Sequence, residues 1–424
     1  MDKYQKIFKK LFHYLARSRI RFIIFKLIGF NNYVSLIMRT LDIKGNIRAN
    51  KKILCIERRF FEKDVDELSY RIRKYGWIWL KKSHLIAYQE NLIPKEYRGQ
   101  KNYIKNINNI SEQWEECIRR SKILLKKFIE EHQIGALLVS NTNYWQDYAI
   151  QIACKELEIP VIILQKEYPY NDLDLIHSFK KYYTSDNFKI ADAIMVFGKR
   201  AKDIWSDSNL FDKKKIFVTG APRLDRWRSL ENFEGMRDGL LIITFKDEEN
   251  KFEPFLEMVL SISIYFKKEK LGKIVIKSRN EIQSREVIDF CKKKNINNVE
   301  VIHFANICDL VLQSKAIVCL NSLASVECML SRIPIIIPDW FFKDKNKKMF
   351  NPEDQTCSKS VQFCENIESL HLNISKYLKN SDNQVDDETF EARQEFVSKF
   401  WEYDIKNSAC KNVQNVIDSF IEKK

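Results

Sequence analysis

The sequence predicts an α/β protein of two doubly wound, parallel-sheet domains facing a cleft. Three observations predict it. Short apolar runs recur through the 424 residues, amphipathic helical stretches separate them, and the series restarts after a charged, Gly-containing interruption at 231–239. Strands alternating with helices build parallel sheets covered on both faces. A chain of this length also exceeds one ordinary core and suits two domains of roughly 150 to 200 residues.

The elements follow in order. Residues 1–48 form a basic amphipathic segment in which Lys3, Lys6, Lys10, Arg17, Arg21 and Lys26 alternate with Phe8, Leu11, Phe12, Leu15, Ile23 and Phe25. Such a helix either lies on an anionic lipid surface or packs on the body of the protein. The first domain, 49–230, places strands at 53–56, 77–80, 136–139, 161–165, 193–197 and 216–219, with helices such as 111–133 and 147–157 between them. The second, 231–385, places strands at 240–244, 273–277, 299–303, 316–320, 333–337 and near 361–363. Its helices are 252–268, 281–294, 306–313 and 323–331. The remaining helices, within 386–424, pack back on the body.

Composition excludes several classes. The net charge of +15 admits nucleic acid, anionic membrane or anionic small molecules as partners, but a Lys-, Ile- and Asn-rich composition accounts for much of a bulk excess, so only local clustering carries weight. The ten cysteines form no CxxC pair and show no zinc-ligand spacing with the six histidines, which points to a reducing, cytosolic compartment without structural metal. No signal peptide is expected, and the apolar stretch 22–38 is interrupted by Lys26, Asn31 and Asn32, too polar to span a bilayer. Only ten glycines occur. No GxGxxG follows a strand and no GxxxxGK[ST] is present, against a dinucleotide oxidoreductase and a P-loop enzyme.

The most informative stretch is 309–340, DLVLQSKAIVCLNSLASVECMLSRIPIIIPDW. Two apolar β-type runs flank a helix begun by Asn321-Ser322 and carrying Glu327, and a strand-to-helix corner of this kind presents backbone N–H groups to an anion. Lys277 and Arg279, at the end of a neighbouring strand, add positive charge. The plainer alternative for Ser322 is an ordinary N-cap, and for the two cations a solvated loop. Gly220-Ala-Pro-Arg-Leu-Asp225 joins the domains. Gly220 permits a tight turn, Arg223 is a candidate phosphate ligand oriented by Asp225, and a purely structural hinge is the alternative. Asp172-Leu-Asp174 is a lone DxD in a polar loop, so no metal and no cofactor are expected.

Several pieces occur in the order seen in one group of proteins. These are 159–165 (IPVIILQ), 191–198 (ADAIMVFG), 218–225 (VTGAPRLD), 274–277 (IVIK) and the Asn321-Ser322 to Glu327 unit. In them the chain resembles the GT-B glycosyltransferase-like proteins of bacterial capsule and surface polysaccharide synthesis, with the related CDP-glycerol glycerophosphotransferases. It departs from them at Lys166-Glu167, where many relatives have His-Gly, and at Ser278-Arg279, where many have Pro-His. The resemblance implies a GT-B-like pair of Rossmann-like domains. It also implies a metal-independent glycosyltransferase that moves a sugar from a nucleotide-activated donor to a glycan or glycolipid acceptor of capsule, O-antigen or lipopolysaccharide type. Gly220, Arg223, Lys277, Arg279, Asn321, Ser322 and Glu327 would bind the donor, Glu327 through the ribose hydroxyls. Glu167, then Asp147, are the candidates for general base, with an ordinary surface-loop carboxylate as the alternative for each. The enzyme would sit in the cytoplasm, peripheral on the inner face of the cell membrane through its basic N-terminus. A polyol-phosphate transferase relying on Lys277, Arg279 and His303 is the alternative in the same fold. A non-enzymatic nucleic-acid-binding protein is the alternative of another class, but no RNA- or DNA-binding signature accompanies the charge and no nucleic-acid partner is expected.

Overall fold

Alternation of buried side chains along each strand divides the first unit into two packed layers around one sheet. The computed structural model describes residues 21–58, 61–98, 107–141, 144–166, 190–207, 211–228, 237–245, 252–341, 349–380 and 384–422. They belong to two compact units, one running to residue 225 and resuming at 401, the other spanning 226–400.

In the first unit, among the described residues, the strands are β1 (Asp42–Gly45), β2 (Lys52–Ile56), β3 (Gly76–Leu80), β4 (Ile134–Val139), β5 (Val161–Leu164), β6 (Ala193–Val196) and β7 (Ile216–Val218), in the order β1-β3-β2-β4-β5-β6-β7. All neighbours are parallel except β1, which runs antiparallel to β3. Successive residues of a strand point to opposite faces, and a parallel sheet buries both. Leu54, Ile56, Ile78, Leu80, Leu137 and Val139 therefore pack with helices α1 (Arg21–Thr40), α2 (Lys82–Gln89), α3 (Ser111–His132) and α4 (Trp145–Glu156). Ile53, Cys55, Trp77, Trp79, Ala136 and Leu138 pack on the other face with helix Phe61–Arg71 and the last helix, Ala409–Ile421.

Helix α1 breaks at Gly29 (φ 73°, ψ 167°). Beyond the break, Tyr33, Val34 and Ile37 are 1% exposed and belong to the core, while Phe30 meets Tyr88 edge to face at 5.6 Å. The second half of the basic segment is thus part of the body, and residues 1–20 lie outside the described residues. Among the described residues no helix is long and apolar enough to cross a membrane.

The second unit holds β8 (Leu240–Ile243), β9 (Ile274–Lys277), β10 (Val299–Ile302), β11 (Ala316–Val318), β12 (Ile335–Pro338) and β13 (Gln362–Cys364), all parallel, in the order β10-β9-β8-β11-β12-β13. Leu240, Ile242, Ile274, Ile276, Val318 and Ile336 pack on one face with helices Phe252–Glu269, Glu281–Lys293 and Ile367–Lys379. Asn and Ser residues start the helices as the sequence pattern requires. Asn280 accepts from Gln283 N at 2.9 Å, Asn306 from Cys308 N at 3.0 Å, and Asn366 closes a capping box with Ser369.

Two glycines in the first unit are there for the segment that returns at 401. A Cβ on Gly198 would lie 1.5 Å from the Trp401 carbonyl oxygen, and one on Gly220 (φ 79°) would lie 2.5 Å from the Tyr403 ring. Both belong to pieces on which the resemblance rests, and here both make room for backbone and ring.

Candidate functional site

The strand order of the second sheet sets its crevice. From β8 the chain moves outward to β9 and β10, then returns to the opposite side of β8 to lay down β11, β12 and β13. The connections after β8 and β11 depart in opposite directions, and open α/β sheets bind ligands at the carboxyl ends of strands that diverge in this way. Thr244 and Phe245 follow β8; Asn321 and Ser322 follow β11.

Ser322 is the N-cap of helix Leu323–Cys328, its hydroxyl accepting from Ala324 N at 3.3 Å, and the Asn321 side-chain oxygen accepts from Met349 N at 2.7 Å. The helix is six residues long, shorter than the expected 323–331, so its dipole is correspondingly small. Ser325 donates to the Leu320 carbonyl at 2.7 Å and ties the helix to the strand end. Glu327 is 8% exposed between Val326 and Cys328, both fully buried.

The loops after β8 and β9 are bonded to each other. Thr244 Oγ1 accepts from Arg279 N at 2.9 Å and lies 3.0 Å from Gln283 Oε1, and the Gln283 amide donates to the Phe245 carbonyl at 2.9 Å. Lys277, expected to offer its charge directly, spans two strand ends instead: its ammonium donates to the Ser278 carbonyl at 2.9 Å and the His303 carbonyl at 2.8 Å. It braces the edge of the crevice. Arg279 is placed through its backbone N–H.

Phe304 was not foreseen. It follows β10 at the same edge and is 89% exposed, with the His303 ring 3.7 Å from its own. Such exposure is unusual for phenylalanine, and an exposed aromatic ring is a surface on which a planar group can stack. A large apolar residue directly after a strand's polar end was the available signal.

In the first unit, Arg223 and Asp225 depart from the expected partnership. Asp64 faces Arg223, accepting from its backbone N–H at 3.0 Å and lying 3.4 Å from its guanidinium, which also donates to the Lys166 carbonyl at 3.1 Å and sits over Phe197 at 5.1 Å. Asp225 instead accepts from Ser408 Oγ, Ala409 N and Cys410 N, at the start of the last helix. Of the two carboxylates expected to act as base, Glu167 lies outside the described residues, as does the Asp172-Asp174 pair. Asp147, on α4, is fully buried and ion-paired with Arg58, the second residue after β2. Burial pushes its carboxyl above the usual range, against the pull of Arg58, Lys82 and Lys166. In this arrangement Asp147 serves Arg58.

All ten cysteines are buried, and burial raises the thiol of Cys117 to about 12. They behave as small apolar side chains.

No family model and no curated protein matches the chain. Among solved structures it is similar to a Listeria monocytogenes protein assigned as a UDP-N-acetylglucosamine 2-epimerase, at 15% identity and a TM-score of 0.52, over 89% of this chain and 98% of that one. Staphylococcus aureus MnaA solved with UDP aligns at 13% identity and a TM-score of 0.47, over 88% and 97%. A point mutant of S. aureus TarM, solved with fondaparinux, α-GlcNAc-glycerol and UDP, aligns at 14% identity and a TM-score of 0.41, over 71% and 59%. The likeness to the Listeria protein is one of fold: this chain has a GT-B-like fold of two Rossmann-like units.

Proposed function

We propose that the protein is an enzyme acting on a nucleotide-activated sugar, and that it transfers the sugar to a lipid-linked or growing cell-surface polysaccharide. The observation that carries this reading is the second sheet's strand order, which sets Asn321-Ser322 at the switch point with Glu327 buried just over one helical turn beyond. A nucleoside diphosphate fits these parts. Its phosphates would meet the N–H groups of the β11 turn, Glu327 would take the ribose hydroxyls, and Phe304 would stack on the base. As the glycosidic bond breaks, negative charge grows on the leaving diphosphate, and donors already fixed there stabilise it without reorganisation. The basic, aromatic stretch at 1–20, ahead of the part of the segment that packs on the body, would hold the enzyme at an anionic membrane surface.

Thermal unfolding of the full chain against UDP, CDP, GDP and CMP tests the donor. One nucleotide should raise the melting temperature by a few degrees through mass action, and Glu327→Gln should remove most of that rise without lowering the ligand-free value by more than about 2 °C. A chain that responds to none of them refutes the reading. Incubation with the matching nucleotide sugar then separates chemistries by NMR. Transfer releases nucleotide only when an acceptor is present, whereas epimerisation inverts a ring carbon with no acceptor and would replace the transferase reading.

A further inference from the structure

The first sheet has a switch point of its own, and it is polar where a core should be apolar. Its parallel strands run β3-β2-β4-β5-β6-β7, so the connections leaving β2 and β4 diverge at their carboxyl ends. Arg58 lies there after β2, Ser140 directly after β4, Lys82 and Ser83 at the start of α2 after β3, and Asp147 and Gln151 on one face of α4.

These groups are buried but not satisfied. Arg58 is 6% exposed and Asp147 0%, yet Arg58 Nε and Asp147 Oδ2 have no hydrogen-bond partner among the described residues. Neither amide atom of fully buried Gln151 is bonded among them, and the hydroxyls of Ser83 and Ser140 are likewise unmatched. Folded proteins pair most of their buried polar atoms, because each one left over forfeits the water it gave up without replacing it. A buried ion pair adds little stability to offset this. The ordered α4 N-terminus contributes further donors, because its N-cap, Tyr144, makes no side-chain cap bond.

Charge favours an anion. Both the Arg58 guanidinium, at 4.7 Å, and the Lys166 ammonium, at 5.4 Å, lie over the Tyr144 ring. Lys82 is near enough to Arg58 that its ammonium is held below the usual lysine range, first by burial and then by that cation. Arg58, Lys82 and Lys166 outnumber Glu57 and Asp147 among the charges that act on one another here.

We infer that this switch point binds a phosphate group of the acceptor, an inference that rests on the transferase reading. Arg58 is the ligand, Asp147 the positioning residue that fixes its plane, and Lys82, Lys166 and the α4 N-terminus supply the remaining attraction.

Inorganic pyrophosphate titrated into the full chain by calorimetry, with and without saturating nucleotide, is the test. Binding should persist under nucleotide, weaken about tenfold or more in Lys82→Ala and in Arg58→Lys, and stay unchanged in Glu327→Gln. Lys166→Ala provides a second reading should Arg58→Lys fold poorly, and its affinity should fall as well. Absence of binding, equal affinity in Lys82→Ala and Lys166→Ala to that of the parent chain, or displacement by nucleotide overturns the inference. Nucleotide binding measured in the same samples reports separately on the donor site. Vesicles carrying a polyprenyl phosphate, compared with a soluble hexose 1-phosphate, then show which source supplies the phosphate. Retention of the neutral polyprenol or hexose with the same affinity overturns the inference too.

Discussion

Asp225 accepts the Ser408 hydroxyl at 2.7 Å across 183 residues of sequence, and the same carboxylate takes the N–H groups of Ala409 and Cys410 at 3.0 and 2.8 Å. A negative charge at the N-terminus of Ala409–Ile421 meets both the unpaired N–H groups and the positive end of the helix dipole. That helix forms one wall of the first unit's core through Cys410, Val413, Val416 and Ile417.

Asp225→Ala should therefore lower stability by about 2–3 kcal/mol, since buried hydrogen bonds to a charged group are lost and three donors are left without it. Urea unfolding measures the loss. Asp225→Asn, which keeps one acceptor oxygen but not the charge, should fall between. An unchanged midpoint for Asp225→Ala would show that the contact contributes nothing.

Gly198→Ala should unseat the returning segment, because its methyl would stand 1.5 Å from the Trp401 carbonyl oxygen, and backbone cannot yield as a side-chain tip does. The edge-to-face contact of Phe197 with Trp401 at 5.5 Å would be lost with it. The expected cost is about 3 kcal/mol or more. Limited proteolysis should cut near 401 faster than in the parent chain.

Arg393 is 1% exposed and donates to the carbonyls of Ser360, Ser331 and Ile333 at 2.7, 2.6 and 2.9 Å. Burial brings its guanidinium down to about 10. A lysine has no planar fork to reach three carbonyls, so Arg393→Lys should cost about 3 kcal/mol or more, read from chemical unfolding. A loss under ~0.5 kcal/mol would argue that the carbonyls find other partners.

Glu116 lies between Arg119 and Arg120, with contacts of 2.6, 2.8 and 2.7 Å. The Arg119 hydrogen bond first, opposed next by burial and then reinforced by the Arg120 hydrogen bond, brings its carboxyl from 4.5 to about 2. A carboxyl depressed in the folded state stabilises it fully above the unfolded value and loses that contribution as pH falls through the folded one. Part of the acid destabilisation between pH 4.5 and 2 should thus vanish in Glu116→Gln, as followed by unfolding midpoints across that range.

Much of the second unit was legible because its signals are local. Apolar runs such as Ile274–Lys277 and Ile335–Pro338 are strands, and Asn280 and Ser322 cap the helices that follow. Strand β1 was not legible. Asp42–Gly45 has no apolar alternation and becomes a strand only because β3 offers it an edge. Lys277, Arg223 and Asp225 were visible as polar residues at strand ends, but their partners were not, since His303, Asp64 and Ser408 are brought to them by the fold.

By itself the sequence determined the order of the strands after β1 and of the main helices, the presence of two largely parallel sheets and the position of the Asn321-Ser322 turn after an apolar strand. Those features depend on periodicity and capping within about ten residues. Only the tertiary structure decided which strands neighbour one another, and hence where each sheet has its switch point. It also decided that Asp225, Gly198 and Gly220 serve the returning C-terminal segment, and that Arg58 and Asp147 meet in a buried pair. The physical reason is range: hydrophobic patterning assigns a residue to a face, but the partner it finds there depends on how the crossovers close.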